Sequence, residues 1–282
     1  MIWFCSQGSR LASQRRDDRL RVSRAELEQM ASAAAVIRAC RRELAAGNAK
    51  LLDEIAPGGV CEWQRYPDGE AYDPKSHAQY FFHAHAESGR QGREFGHFHT
   101  FLRAEGMPGG VAPLLLPELA VADVASPLPP QAAPLKRGTR DEVSHLIAIA
   151  IDAQGEPIRL FTTNRWVTGE SWYRAEDVIQ MLERFVIAGS QPSEVLNRWI
   201  VAMIRLFRPQ IAALLRARDE TVMGWRRRRS THVLEDPRLE VTSSLDVALD
   251  AQLAFVDRLR DGSEPAAVRR ASGLPSMAEG WG

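Results

Sequence analysis

The sequence predicts an α+β fold: an antiparallel sheet of at least four strands, built from two hairpins and packed by N-terminal and C-terminal helices. Three observations carry this reading. Residues 78–103 are two apolar, aromatic-rich runs around a Gly-containing turn, Gly89-Arg90-Gln91-Gly92-Arg93. Residues 144–164 alternate with period two on either side of the turn DAQGEP. Apolar stripes at helical spacing occupy the segments before and after both hairpins.

The elements follow in chain order. Residues 1–22 read as a basic mobile arm, because arginines crowd Arg10 to Arg24. Ser23 followed by Glu26 forms a capping-box signal. Leu27, Met30, Ala34, Ile37 and Leu44 then recur at helical spacing up to Gly47, so a helix is expected at about 24–46. A short helical piece at 49–55 precedes a loop over 60–76, whose Pro67-Asp68-Gly69 and Asp73-Pro74 are turn signals. The first hairpin follows directly.

Residues 106–138 hold Pro108 and six further prolines, which lock φ and lack an amide donor, so an extended crossover is expected there. Its length and its Leu114-Leu115-Leu116 run suit a lid over the first hairpin as well as a plain connection. In the second hairpin, a turn centred between Gln154 and Gly155 pairs Ile151 with Ile158, Ile149 with Leu160 and His145 with Asn164. Val178, Met181, Leu182 and Phe185 form one helical stripe. Leu196, Trp199, Ile200, Ile204 and Phe207 form another, which ends or restarts at Pro209. A last helix is expected at about 245–260, and residues 261–282 read as a disordered tail. Residues 23–260 then make one α+β domain.

Composition excludes several classes. Thirty-six basic residues balance thirty-six acidic ones, so no net charge points to nucleic acid or an anionic membrane. The apolar stretch 195–215 is interrupted by Arg198, Arg205, Arg208 and Pro209, which argues against a transmembrane helix. The chain starts without the pattern of a signal peptide. Cys5, Cys40 and Cys61 are odd in number and share no metal or redox spacing. Together these indicate a cytoplasmic protein acting on a small molecule, with no membrane or nucleic-acid partner and an oligomeric state left open.

The chemistry concentrates in the first hairpin. Four of the seven histidines form two His-x-His pairs, His83/His85 and His97/His99. Side chains two apart on a strand share a face, so each pair presents both imidazoles to one side. A hairpin symmetric about Gln91 sets His83 opposite His99 and His85 opposite His97. Opposed Cβ atoms lie about 4.5–5.5 Å apart, close enough for one ion to bridge the rings. The expected cofactor is therefore one divalent transition metal on His83, His85, His97 and His99, with Zn, Fe and Cu all compatible.

Three histidines plus water would leave an open catalytic position, with the fourth histidine or Glu87 as acid/base. His77, Asp73 and Glu70 lie just upstream as further ligand candidates. For substrate binding, Arg165 suits a carboxylate clamp, Trp166 suits stacking on a ring, and His145 lies on a neighbouring strand with Ile147 and Ile149. The alternative function is a non-catalytic module in which the same histidines hold a structural ion or an anionic ligand.

The first His pair resembles the opening of a cupin metal motif as a geometric analogy, and the histidine-triad pattern is rejected. A cupin pattern would need Glu87 further from His85 and a glycine where His77 stands, and a histidine triad would need His where Phe101 stands. The combination Gln79-Tyr80-Phe81-Phe82-His83-Ala84-His85 and Gly96-His97-Phe98-His99-Thr100-Phe101 resembles a family of bacterial proteins known only as a domain of unknown function. The resemblance covers about residues 25–220 and implies a bacterial, cytoplasmic protein without supplying an activity.

Overall fold

A computed structural model describes residues 22–85, 92–114, 142–228 and 232–262. The fold is α+β. Among the described residues a six-stranded antiparallel sheet has the order β1-β2-β3-β4-β5-β6: β1 Tyr66–Tyr72, β2 Ala78–Ala84, β3 Gly96–Arg103, β4 Val143–Ile151, β5 Pro157–Thr163 and β6 Val241–Asp246. Seven α-helices accompany it: α1 Arg24–Ala46, α2 Leu51–Ile55, α3 Arg165–Thr168, α4 Ala175–Met181, α5 Glu194–Leu206, α6 Arg208–Arg228 and α7 Leu249–Arg260. None is long and apolar enough to cross a membrane.

The helix at 24–46 forms as expected, and its capping box is complete: Glu26 N–H donates to Ser23 Oγ, and Ser23 N–H donates back to Glu26 Oε2 at 2.9 Å. Its apolar stripe packs along α5, and α5 in turn meets the sheet through Trp199, whose ring lies 5.8 Å from Phe98. Tyr80, Phe82, Phe98, Leu102, Ile147, Ile149 and Leu160 join these helices in the main core. The sheet therefore carries the helices on its even β2/β3 face. Its other face carries the histidines.

Two strands were not expected. The segment of β1 reads as a loop because of Pro67-Asp68-Gly69, but an edge strand tolerates proline and glycine where pairing is irregular, and the β1–β2 register shifts between Tyr66 and Ala71. Strand β6 is half polar, VTSSLD, and its buried hydroxyls are satisfied across the sheet and by α6: Thr162 bonds Thr242 at 2.7 Å, and Ser243 donates to Leu214 O at 2.8 Å. The last helix consequently starts at Leu249, later than expected.

The register of the first hairpin is a correction. His83 lies opposite His97, not His99, and His99 lies opposite Phe81. The partners are displaced by two residues, and because side chains alternate, a shift of two keeps every residue on its face. Size on the core face accounts for the choice. Phe82 pairs with Phe98, and Ala84 with Gly96. A Cβ on Gly96 would come 2.5 Å from the His83 carbonyl oxygen and 2.5 Å from the Phe82 ring, so only glycine fits there.

The second hairpin forms the expected Ile149–Leu160 pair, but a bulge sets Ile151 opposite Pro157 instead of Ile158. Asn164 lies beyond β5 and caps α3 instead of pairing with His145. A further bulge between β3 and β4 matters more. Thr100 faces Ile147 while Phe101 faces His145, so Leu146 is an extra residue on β4. His145 is thereby turned off the face of Ile147 and Ile149 and onto the histidine face. Residues 1–21, 86–91, 115–141 and 263–282 lie outside the described residues, and with them most of the arm, the tail and the crossover. Of the suggested lid, residues 106–114 are described, and Leu114 packs against the small cluster around Trp172 and Val233.

Candidate metal centre

Strands β2, β3 and β4 bring five imidazoles to one face, with Phe81, Phe101 and Phe161 around them. The Nε2 atoms converge. His83 Nε2 lies 2.7 Å from His97 Nε2 and 3.3 Å from His85 Nε2, and His97 Nε2 lies 3.1 Å from His99 Nε2. A tetrahedral ion at about 2.0–2.1 Å from each nitrogen requires nitrogens about 3.3 Å apart. The His83–His85 and His97–His99 separations are close to that value, and the His83–His97 separation is shorter. His83, His85 and His97 form a group that could hold a metal, with one nitrogen from each lying within 4.8 Å of the others.

The four paired histidines thus share a face, as expected, although their cross-strand partners differ. His99 is deeper. Its Nε2 faces the group and its Nδ1 contacts His145 Nε2 at 3.1 Å. His97, His99 and His145 are buried, while His83 and His85 are half-buried, so the cluster opens on the β2 side.

Glu94 is the residue sequence reasoning missed. It is buried, and its Oε1 accepts from His97 Nδ1 at 2.6 Å. A carboxylate on Nδ1 keeps the proton there and leaves the Nε2 lone pair directed into the cluster. Arg159 pairs with the other Glu94 oxygen, and its guanidinium stacks 4.6 Å from the Phe161 ring centroid. Phe161 meets His97 edge-on at 5.0 Å. Burial pushes the Glu94 carboxyl up, but the His97 hydrogen bond and the Arg159 charge outweigh it and hold the group ionised. The available signal was position alone: Glu94 stands three residues before His97, in a stretch that reads as turn.

The other expected residues divide. His145 joins the cluster from behind, its backbone N–H donating to Glu170 at 2.7 Å. Arg165 pairs with Glu235 at 3.1 Å and the Trp166 indole donates to Leu239 O at 2.9 Å, so both tie α3 to the segment before β6. Glu87 lies outside the described residues. His77 bonds the Tyr72 hydroxyl at 2.7 Å, Asp73 accepts from Lys75, Ser76 and Ala188 backbone N–H groups, and Glu70 meets Arg65 and Gln79. These three have structural partners apart from the five imidazoles.

Desolvation sets the titration of His83, His99 and His145. Burial pushes His83 down to about 3, helped by the neighbouring His97 and His85. Burial, then Arg218, pushes His145 down to about 3, and burial with His97 holds His99 well below the ordinary range. Folded pKa values below the unfolded ones mean that the unfolded chain takes up these protons first. Metal-free stability is therefore full above about pH 6.5 and is lost as pH falls from there toward about 3, where His83 and His145 titrate in the fold. Urea denaturation across that window is expected to show a midpoint that falls steadily with acidification; a flat profile would contradict the desolvation of the rings.

The family model Domain of unknown function (DUF6969) matches residues 31–247. The chain belongs to that family. No curated protein and no solved structure matches it.

Proposed function

We propose that this family member is a metal-dependent enzyme acting on a small molecule, with one divalent transition metal held by His83, His85 and His97. One observation carries the reading: His83 Nε2 lies 2.7 Å from His97 Nε2 and 3.3 Å from His85 Nε2, and His97 is oriented by the buried Glu94. All the donors are imidazoles, a set that suits Zn, Fe and Cu and does not choose among them. When bound, the ion would supply Lewis acidity and, for Fe or Cu, redox capacity.

The chain's own groups have separate roles. His83, His85 and His97 bind; Glu94 orients His97; Phe81, Phe101 and Phe161 limit water around the rings. His99 is the proton-handling group, because its Nε2 borders the centre and its Nδ1 rests on His145. Glu87, two residues beyond His85, is a second acid/base candidate. Arg165, Trp166 and the imidazole of His145 are the proposed substrate contacts, beside the structural partners that they or their backbone hold. A cytoplasmic setting, inferred from the unpaired Cys40 and Cys61, belongs to the same reading.

The second reading is a structural or ligand-gripping ion site with four protein ligands. It is favoured by the 3.1 Å between His97 and His99 Nε2. The tautomer of His99 separates the two. If His99 Nδ1–H donates to His145, its Nε2 lone pair is free to close the coordination sphere; if His145 donates, His99 Nε2 keeps a proton and the fourth position stays open. Cobalt-loaded protein decides this by visible absorption. With an open position, added azide is expected to shift the spectrum in a saturable way, and an unchanged spectrum would favour the closed site.

A further inference from the structure

The open side of the cluster has a chemistry of its own. Residues 61–65 run past it just before β1. Trp63 has φ 67°, the left-handed region where a bulky side chain is rare. It is held there by its N–H bond to Ala84 O at 2.8 Å and by stacking on His85, with ring centroids 4.8 Å apart and planes 27° apart. The indole nevertheless remains 63% exposed. Two residues on, the Arg65 guanidinium lies 4.4 Å from the Phe81 ring centroid. Phe81 in turn lies 5.7 Å from His83 and 5.1 Å from His99. Arg65 is thus one ring away from the converging nitrogens, and its side chain is 60% exposed even with Nη1 paired to Glu70.

Charge decides what fits beside these groups. The imidazoles are neutral ligands and leave the ion's charge undiminished. Glu94 is matched by Arg159, and Glu70 by Arg65. Neither of these carboxylates is then left over to oppose the two charges of a divalent ion. We infer that the molecule completing this site is an organic carboxylate with a flat apolar group, its anion met by the ion and Arg65 and its apolar part lying against Trp63. The planar guanidinium fork matches a carboxylate, and an exposed indole offers a flat apolar wall. This inference rests on the metal reading above and adds the substrate class to it.

Isothermal titration of the zinc-loaded full chain with benzoate, benzamide, acetate and inorganic phosphate tests it, with zinc per chain measured on the same samples. Benzoate is expected to bind at least about tenfold more tightly than benzamide (charge) and than acetate (the flat group), about 1.4 kcal/mol each. Arg65→Gln should shrink the advantage over benzamide, the ion alone then meeting the anion, and Trp63→Ala should erase the advantage over acetate, with zinc content unchanged in both. Zinc-loaded protein that binds benzoate and benzamide equally overturns the inference while leaving the metal site standing. So does discrimination against benzamide that Arg65→Gln leaves undiminished, or phosphate binding more tightly than benzoate. Protein that retains no zinc overturns the metal reading and this one together.

Discussion

Replacing His97 with alanine is expected to abolish high-affinity metal binding. His97 contributes the central Nε2 of the cluster, 2.7 Å from His83 and 3.1 Å from His99. It is also the imidazole whose orientation the fold specifies most completely, through Glu94, Arg159 and Phe161. Loss of an orienting partner outside the coordination sphere typically costs about 10–100-fold in affinity. Glu94→Gln should fall in that range, because a neutral amide still occupies the space but no longer holds the proton on Nδ1 by charge. His97→Ala should exceed it. Competition against a chromophoric chelator measures both, and near-ultraviolet circular dichroism checks that the fold persists. A Glu94→Gln protein as tight as wild type would remove the carboxylate from the account.

The second large effect is on stability. Phe98 alternates with His97 and His99 on β3 and points the opposite way, into the core. It is fully buried, with the Phe82 centroid 5.1 Å, Trp199 5.8 Å and Tyr80 6.1 Å from its own. Phe98→Ala is expected to cost about 3–5 kcal/mol, the range for deleting a buried aromatic side chain. Urea denaturation of metal-free protein should show this as a lower midpoint at an unchanged slope. A cost below about 1 kcal/mol, the level of an ordinary surface change, would mean that the helices do not pack on this face as described.

Much of this architecture was legible in the residues. Helix α1 was announced by Ser23, Glu26 and Gly47, and the common face of the paired histidines by their spacing of two. Where the reading failed, the deciding interactions were tertiary. The hairpin register was set by Phe82 against Phe98 and by the close approach at Gly96, not by symmetry about a turn. His145 reached the cluster because Leu146 bulges out of the β4 ladder, and a single extra residue reverses the parity on which sequence alternation relies. Edge strands β1 and β6 carry turn-forming or polar residues that an interior strand would not tolerate. Glu94 was hidden for a similar reason: it lies in a non-strand segment, and only the sheet, with β4 between β3 and β5, brings it to both His97 and Arg159.

The central claim is that the convergent imidazoles hold a metal. The most direct measurement is elemental analysis of the full-length chain, stripped with a chelator, reconstituted with Zn, Fe or Cu and freed of excess ion. It is run in parallel on the His83→Ala/His97→Ala double variant. The account predicts one transition-metal ion per chain in the wild type and only trace metal in the variant. Trace metal in the reconstituted wild type, or equal metal in both proteins, would contradict it.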